Sequence, residues 1–303
     1  MAFKRNEGEG KNYLFWIIGG LFSLALIVLV AYSFSPIDGC VGVVEIKGPI
    51  VVDDVQSTLF SDGMQGSESI AADIESADKR GDVKAVLLII DSPGGSVVAS
   101  RQIYDALRKL NKTSVAYLQE MAASGGYMVA AGTDSIVSNP DALTGNIGAR
   151  MTFMEYSGLF AKLGINETSI KSGAMKDMGS PSRPMTAEEE AVLQSIVNES
   201  FEEFRGAVEE GRAGRLNKVE FEKILDARIL TGRQAKKIGL VDELGDKRAA
   251  IKKAAELGGI KDEEPKICEL SSSAGQRGLL GSISSEALNL FTKGANIPRI
   301  SYN

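Results

Sequence analysis

Six consecutive apolar residues, Ala85 to Ile90 (AVLLII), lie between the charged Lys84 and Asp91. So short a run reads as a strand, and a strand without polar alternation is one covered on both faces. The sequence around it supports a layered α/β domain. Val41–Ile46 reads as a strand, Ser69–Lys79 as a helix, and Val97–Leu110 as a helix with Ile103, Leu107 and Leu110 on one face. Ser114–Leu118 is the next strand, followed by a small-residue helix over Ala122–Ala131 and a short strand at Ser135–Val137. Thr186 and Glu189 form a capping box that opens a long helix, with Leu193, Ile196, Val197, Phe201, Phe204 and Val208 as its expected buried stripe. Strands alternating with helices predict βαβ units.

The N-terminus has a different composition. Residues Tyr13 to Phe34 carry no charge over 22 positions, enough for a helix to cross ~30 Å of hydrocarbon. Trp16 and Tyr13 at one end and Tyr32 at the other suit the two interfaces. A cleaved signal peptide would have a shorter apolar core and an A-x-A site, and none follows. Lys4, Arg5 and Lys11 precede the span, and Lys47 is the first basic residue after it. By the positive-inside rule, residues 1–12 are expected in the cytoplasm, 13–34 as a single-pass cell-membrane anchor, and the rest outside. The folded domain is expected over 38–265. From 271 to 303 the chain becomes Ser/Gly-rich and reads as a flexible tail with one short helix near Ser285–Phe291. Cys40 follows the span and reads as a plain buried or free thiol. Two cysteines in 303 residues make neither a disulfide framework nor a zinc cluster.

Histidine is absent from the whole chain. That excludes Ser-His-Asp and Cys-His hydrolases and H-E-x-x-H metalloenzymes. A net charge of −6 offers no basic footprint for nucleic acid. Three segments remain as candidates for chemistry. Asp91-Ser92-Pro93-Gly94-Gly95 sits where the apolar strand ends and a helix begins. Taken alone it is an ordinary tight turn, but such a turn can also aim N–H groups at negative charge. Met121-Ala122-Ala123-Ser124-Gly125-Gly126-Tyr127 lies at a second strand-to-helix junction, where a serine is most often an N-cap and sometimes a nucleophile. The third segment, Lys171 to Pro181, carries Lys171 and Lys176. In a histidine-free chain a neutral lysine is the natural proton acceptor for a serine. Its usual pKa of ~10.4 must then be depressed by burial. The residues alone do not rank one lysine above the other.

Together, D-S-P-G-G, M-A-A-S-G-G-Y, T-G-N-I-G, K-S-G-A-M-K-D-M-G-S-P and L-T-G-R-Q-A-K-K-I-G-L-V-D-E-L-G resemble the signal peptide peptidase A family over about Val41 to Gly258. The chain resembles its single-unit archaeal and Gram-positive type. The resemblance implies a ClpP/crotonase-like layered α/β fold and a membrane-anchored serine endopeptidase that degrades remnant signal peptides and other peptides at the membrane. It implies Ser124 as nucleophile, Lys176 as general base, Gly95 and Gly125 main-chain N–H groups as oxyanion hole, and a structural Lys171. Members usually read T-G-S-I-G, the serine hydroxyl orienting the catalytic lysine, and Asn146 takes that place here. An amide oxygen can still accept a lysine hydrogen bond. No metal, nucleotide or organic cofactor is implied. The expected partners are peptide substrates, membrane lipid through the anchor, and further copies of the chain in a ring whose serine and lysine come from neighbouring subunits. The alternatives are a weak or inactive membrane scaffold, motivated by Asn146, and crotonase-type acyl-CoA chemistry, which explains neither the anchor nor the Ser124–Lys176 pairing.

Overall fold

The apolar run is wholly buried, every residue from Ala85 to Ile90 having no exposed surface. The computed structural model describes residues 39–56 and 63–270, together with the helical positions Ile17 and Leu21. The folded domain lies in the second of two units, Gly39–Asn303. In chain order its described elements are β1 (Cys40–Lys47), α1 (Ser67–Lys79), β2 (Val83–Ser92), α2 (Val97–Lys109), β3 (Thr113–Ala123), α3 (Gly125–Ala131), β4 (Ser135–Ser138), β5 (Leu143–Gly145), α4 (Ser157–Leu163), α5 (Ala187–Gly211), α6 (Lys218–Glu222), β6 (Ile229–Thr231), α7 (Gly232–Ile238), β7 (Glu243–Leu244), α8 (Lys247–Leu257) and β8 (Lys266–Glu269). The expected tail 271–303 with its helix, and the expected span 13–34 apart from Ile17 and Leu21, lie outside the described residues. Among the described residues no helix is long and apolar enough to cross a membrane.

Among the described residues the strands form one sheet in the order β6-β5-β3-β2-β1-β8, with β4 paired to β3 and β7 to β4. All pairings are parallel except β5 with β6. Strand β2 explains its own sequence. Val86, Leu88 and Ile90 enter a core with Val44, Ile46, Ala116 and Leu118 beneath α1, α2 and α3. Ala85, Leu87 and Ile89 enter a second core with Val41, Val115 and Tyr117 beneath α8, through Ala250 and Ala254. Each fully buried Leu or Ile contributes roughly 1.5–3 kcal/mol of transfer free energy, so β2 anchors both layers.

Three expectations change. First, β3 runs to Ala123 and the following helix starts at Gly125, not Ala122. Met121–Ala123 pairs with β5 (Leu143–Gly145), and this ladder outweighs a local pattern of small residues that carries no periodicity of its own. Second, the expected α5 stripe is buried only at its C-terminal end. Phe204 and Val208 are buried, whereas Leu193, Val197 and Phe201 are half-buried and Ile196 is exposed. Among the described residues the first half of the helix is only partly covered. The end of the helix is locked by the fully buried Arg212, which donates to both Asp242 carboxylate oxygens at 2.6 and 2.8 Å and to the Gly239 carbonyl.

Third, Cys40 is not a free thiol. It forms a disulfide with Cys268, with a Cα–Cα separation of 5.9 Å, within the usual range. The partner is carried by β8, which pairs in parallel with β1 beyond the expected domain end at 265. That pairing joins residues 228 apart, a contact no local pattern discloses. Chain-entropy arithmetic caps the stabilisation at about 5 kcal/mol. Reductant, or Cys40→Ser with Cys268→Ser, is expected to lower the urea midpoint of the domain. An unchanged midpoint would show that β8 stays docked without the bond.

Candidate active site

The site is built at the ends of two neighbouring parallel strands. After β2 the chain turns sharply at Gly94, whose φ of +93° is open to glycine and strained for other residues. The buried Ser92 hydroxyl accepts the Gly94 N–H at 3.0 Å. The chain then passes so close to the loop after β1 that a Cβ on Gly95 would fall 2.1 Å from the Ile50 carbonyl oxygen. Ile50 N–H donates to the Gly94 carbonyl and Ser96 N–H to the Ile50 carbonyl, both at 2.9 Å. These bonds fix the turn from outside the strand.

At the end of β3, Ser124 adopts φ 53° and ψ −126°. Such a backbone costs a non-glycine residue about 1–3 kcal/mol and persists only where the surroundings impose it. Here β5 imposes it. The Ser124 N–H donates to the Gly145 carbonyl at 2.9 Å, and Thr144 Oγ1 donates to the Ala122 carbonyl at 2.7 Å. Ser124 precedes α3, yet its hydroxyl makes no capping hydrogen bond. The usual N-cap role is therefore not filled, and the half-buried side chain is left to other uses.

The two turns touch. A Cβ on Gly94 would lie 2.6 Å from Gly125 N and 2.9 Å from Ser124 Cβ, and one on Gly125 would lie 3.4 Å from Gly95 N. Among the described residues neither the Gly95 nor the Gly125 N–H has an acceptor. Gly95, Ser124 and Gly125 line one cavity of about 480 Å³ together with Val97, Met128 and Phe204. A strained serine beside two uncommitted backbone donors can attack a carbonyl and hold the resulting oxyanion.

Lys176 and Asn146 do not line this cavity. Lys176 is exposed in the turn that follows Lys171, and no hydrogen bond joins it to Ser124 within the chain. The structure does separate the two lysines. Lys171 Nζ is tied to the Asp177 carboxylate and to the Ala174 carbonyl, whereas the Lys176 amine has no partner among the described residues. Asn146 stands next to Gly145 with a φ of 54°, and its Nδ2 donates to the Ala227 carbonyl at 2.6 Å. Its side-chain oxygen accepts no hydrogen bond among the described residues.

The lysine loop is held by a charged chain. Asp177 binds Lys171 and Arg183, and Arg183 binds the buried Glu189 of the α5 capping box. The Arg183 guanidinium, then the Thr186 N–H, holds the Glu189 carboxyl at about 2. Arg183, then Lys171, holds Asp177 well below the ordinary carboxylate range.

The sequence reading missed several residues that serve this site. Ser92 and Thr144 stand inside the D-S-P-G-G and T-G-N-I-G segments without a role of their own there; Ser92 acts locally on the Gly94 N–H, and Thr144 acts across the sheet on the Ala122 carbonyl. Ile196, Glu199, Ser200, Glu203 and Phe204 of α5 form the cavity wall, but the helix pattern signalled only burial.

Parallel strands ending in glycine-flanked turns, with helices on both sheet faces, define a ClpP-like α/β protein. A Clp protease family model matches residues 62–142, from just before α1 to the start of β5. The Peptidase family S49 model matches residues 106–261, just over half of the chain and all of the segment from Ser124 to Lys176. The chain belongs to peptidase family S49. It is similar to a Methanocaldococcus jannaschii protein named "Putative protease MJ0651", at 44% identity over 63% of this chain and 61% of that one. An Enterococcus faecium protein named "Putative signal peptide peptidase SppA" is 35% identical over 67% of this chain and 59% of its own length. "Protease 4" of Haemophilus influenzae is 30% identical over 70% of this chain and 35% of its own. The match spans about three fifths of the first two relatives.

The depressed carboxyls set a pH window. A carboxyl with a lowered folded-state pKa contributes stability above its unfolded value, near 4, and loses it as pH falls through the folded one. The lysine loop is therefore expected to be held fully above about pH 4 and to lose that support as pH falls toward about 2. The melting temperature between pH 6 and pH 2 should fall more steeply in the native chain than in Glu189→Gln. Parallel curves would remove this network from the acid response.

Proposed function

We propose that the chain is a membrane-anchored serine endopeptidase with a Ser/Lys dyad, acting on peptides at the membrane and on remnant signal peptides among them. The observation that carries this reading is Ser124. It is held at φ 53° by β5, with its hydroxyl uncapped, beside the uncommitted Gly95 and Gly125 N–H groups. In the proposed reaction Ser124 Oγ attacks the scissile carbonyl carbon and its proton passes to the neutral Lys176 amine. The oxyanion accepts the Gly95 and Gly125 N–H groups. Collapse breaks the C–N bond, Lys176 returns the proton to the leaving amine, and water then releases the acyl group from Ser124.

The dyad is proposed to be completed between neighbouring copies of the chain in a ring. In support, the Lys176 amine has no partner among the described residues. The segment that precedes its loop in the chain carries exposed apolar side chains, with Met154 65%, Leu163 63% and Ile170 100% exposed. A neighbour covering this segment and the loop would also shield the lysine, which favours its neutral form. Asn146 is proposed to orient Lys176 through its unused side-chain oxygen. The extracytoplasmic placement rests on the Tyr13–Phe34 span, and the Cys40–Cys268 disulfide adds support because such bonds persist in oxidising compartments.

Ser124→Ala and Lys176→Ala are each expected to lower kcat/KM by about a thousand-fold or more, while Lys171→Ala retains most activity. A fluorophosphonate probe should label Ser124. An inactive Lys171→Ala beside an active Lys176→Ala would reverse the base assignment. Mixing the inactive Ser124→Ala and Lys176→Ala chains should restore partial activity, because some junctions then pair an intact serine with an intact lysine. Absence of rescue would place both groups in one subunit.

A lysine base also sets the direction of the pH response. The reaction needs the uncharged amine, so kcat/KM is expected to rise from neutral toward alkaline pH. A profile flat from pH 6 to 9, or highest in acid, would argue for a different base.

A further inference from the structure

The cavity that holds Ser124 has two kinds of wall. One is apolar and open to solvent, with Val97 51%, Val98 67% and Ile196 39% exposed, backed by the buried Met128 and Phe204. The other is charged, formed by Glu199 and Glu203 on α5 and Arg101 on α2. These charges do not cancel. Arg101 donates to Glu203 at 3.1 Å and is shared with Asp105 at 2.9 Å. Glu199, one helical turn before Glu203, has no cation within ion-pair distance among the described residues. The site therefore presents an apolar channel with one uncompensated carboxylate at its rim.

We propose that Glu199 is a specificity-determining residue that selects a lysine or arginine side chain in the peptide bound at Ser124. This rests on the peptidase reading and goes further by naming the side-chain class. A long cationic side chain suits both walls. Its methylene stem covers the exposed valines and Ile196, and its charged head stays near water at the carboxylate. A purely aliphatic side chain satisfies the first wall and leaves Glu199 unpaired. An acidic one meets two carboxylates and only one, already shared, guanidinium. Because the rim is solvated, the selectivity is modest. An exposed ion pair is worth up to about 1 kcal/mol, or about five-fold in kcat/KM.

The test digests a mixed peptide library with the intact protein and maps cleavage sites by mass spectrometry. Matched peptides carrying lysine, norleucine or glutamate at the enriched position are then compared. The native protein is expected to prefer lysine over norleucine about five-fold, with the preference weakening at high salt. In Glu199→Gln the lysine-to-norleucine ratio should fall to near one, and in Glu199→Lys glutamate should overtake lysine. A native protein indifferent to the charge, or a lysine preference that survives both substitutions, would overturn the assignment and leave the peptidase reading standing. A ratio that changes only because Glu199→Gln alters the assembly mass by light scattering would also overturn it. No cleavage of any peptide and no fluorophosphonate labelling would overturn both readings.

Discussion

The N–H of Ser124 donates to the carbonyl of Gly145, and the rest of the site depends on that bond. It ties the end of β3 to β5 and holds the serine backbone in a region that other residues avoid. A strained residue needs rigid surroundings, and the rigidity comes from burial of β2 and β3 between two helical layers. Because the strands are parallel, their C-terminal ends lie side by side. The turn after β2 and the turn after β3 therefore meet without any long loop having to bring them together. Gly95 is a neighbour of Ser124 through sheet topology, whereas Gly125 follows the serine directly in the chain.

The same principle explains the supporting residues. Ser92 and Thr144 use their hydroxyls on backbone groups of the turns, so the turns are satisfied internally and the Gly95 and Gly125 donors remain unused. At the other end of α5, the fully buried Arg212, paired with the half-buried Asp242, locks the helix against the sheet. A pair of this kind is costly to break by removing one partner. Here it orients the helix whose earlier turns wall the cavity.

Much of the fold was legible in the residues, and for identifiable reasons. AVLLII announced a doubly covered strand because both of its faces are apolar. Thr186 and Glu189 announced the start of α5, since a capping box is a local interaction. Ser124, Gly95 and the two lysines were legible as candidates, but their ranking came from a family resemblance. The start of α3 was misread because alanine and glycine have no periodic signal. The α5 stripe was misread as wholly buried because a hydrophobic pattern records what a helix can bury, not where its cover comes from.

The sequence by itself determined the layered α/β class, the order of the elements from β1 to β4, the start of α5, the exclusion of histidine chemistry and the positions of the two glycine turns. Each of these follows from composition or from interactions within a few residues. Only the tertiary structure decided that Ser124 is strained and uncapped, that Lys171 is tied to Asp177 while Lys176 is not, and that Cys40 meets Cys268. It also decided that Glu199 lines the same cavity as Ser124, with no cation in ion-pair distance among the described residues. Each of these depends on packing across the sheet or on how a loop folds back, and local propensity does not encode where such distant groups come to rest.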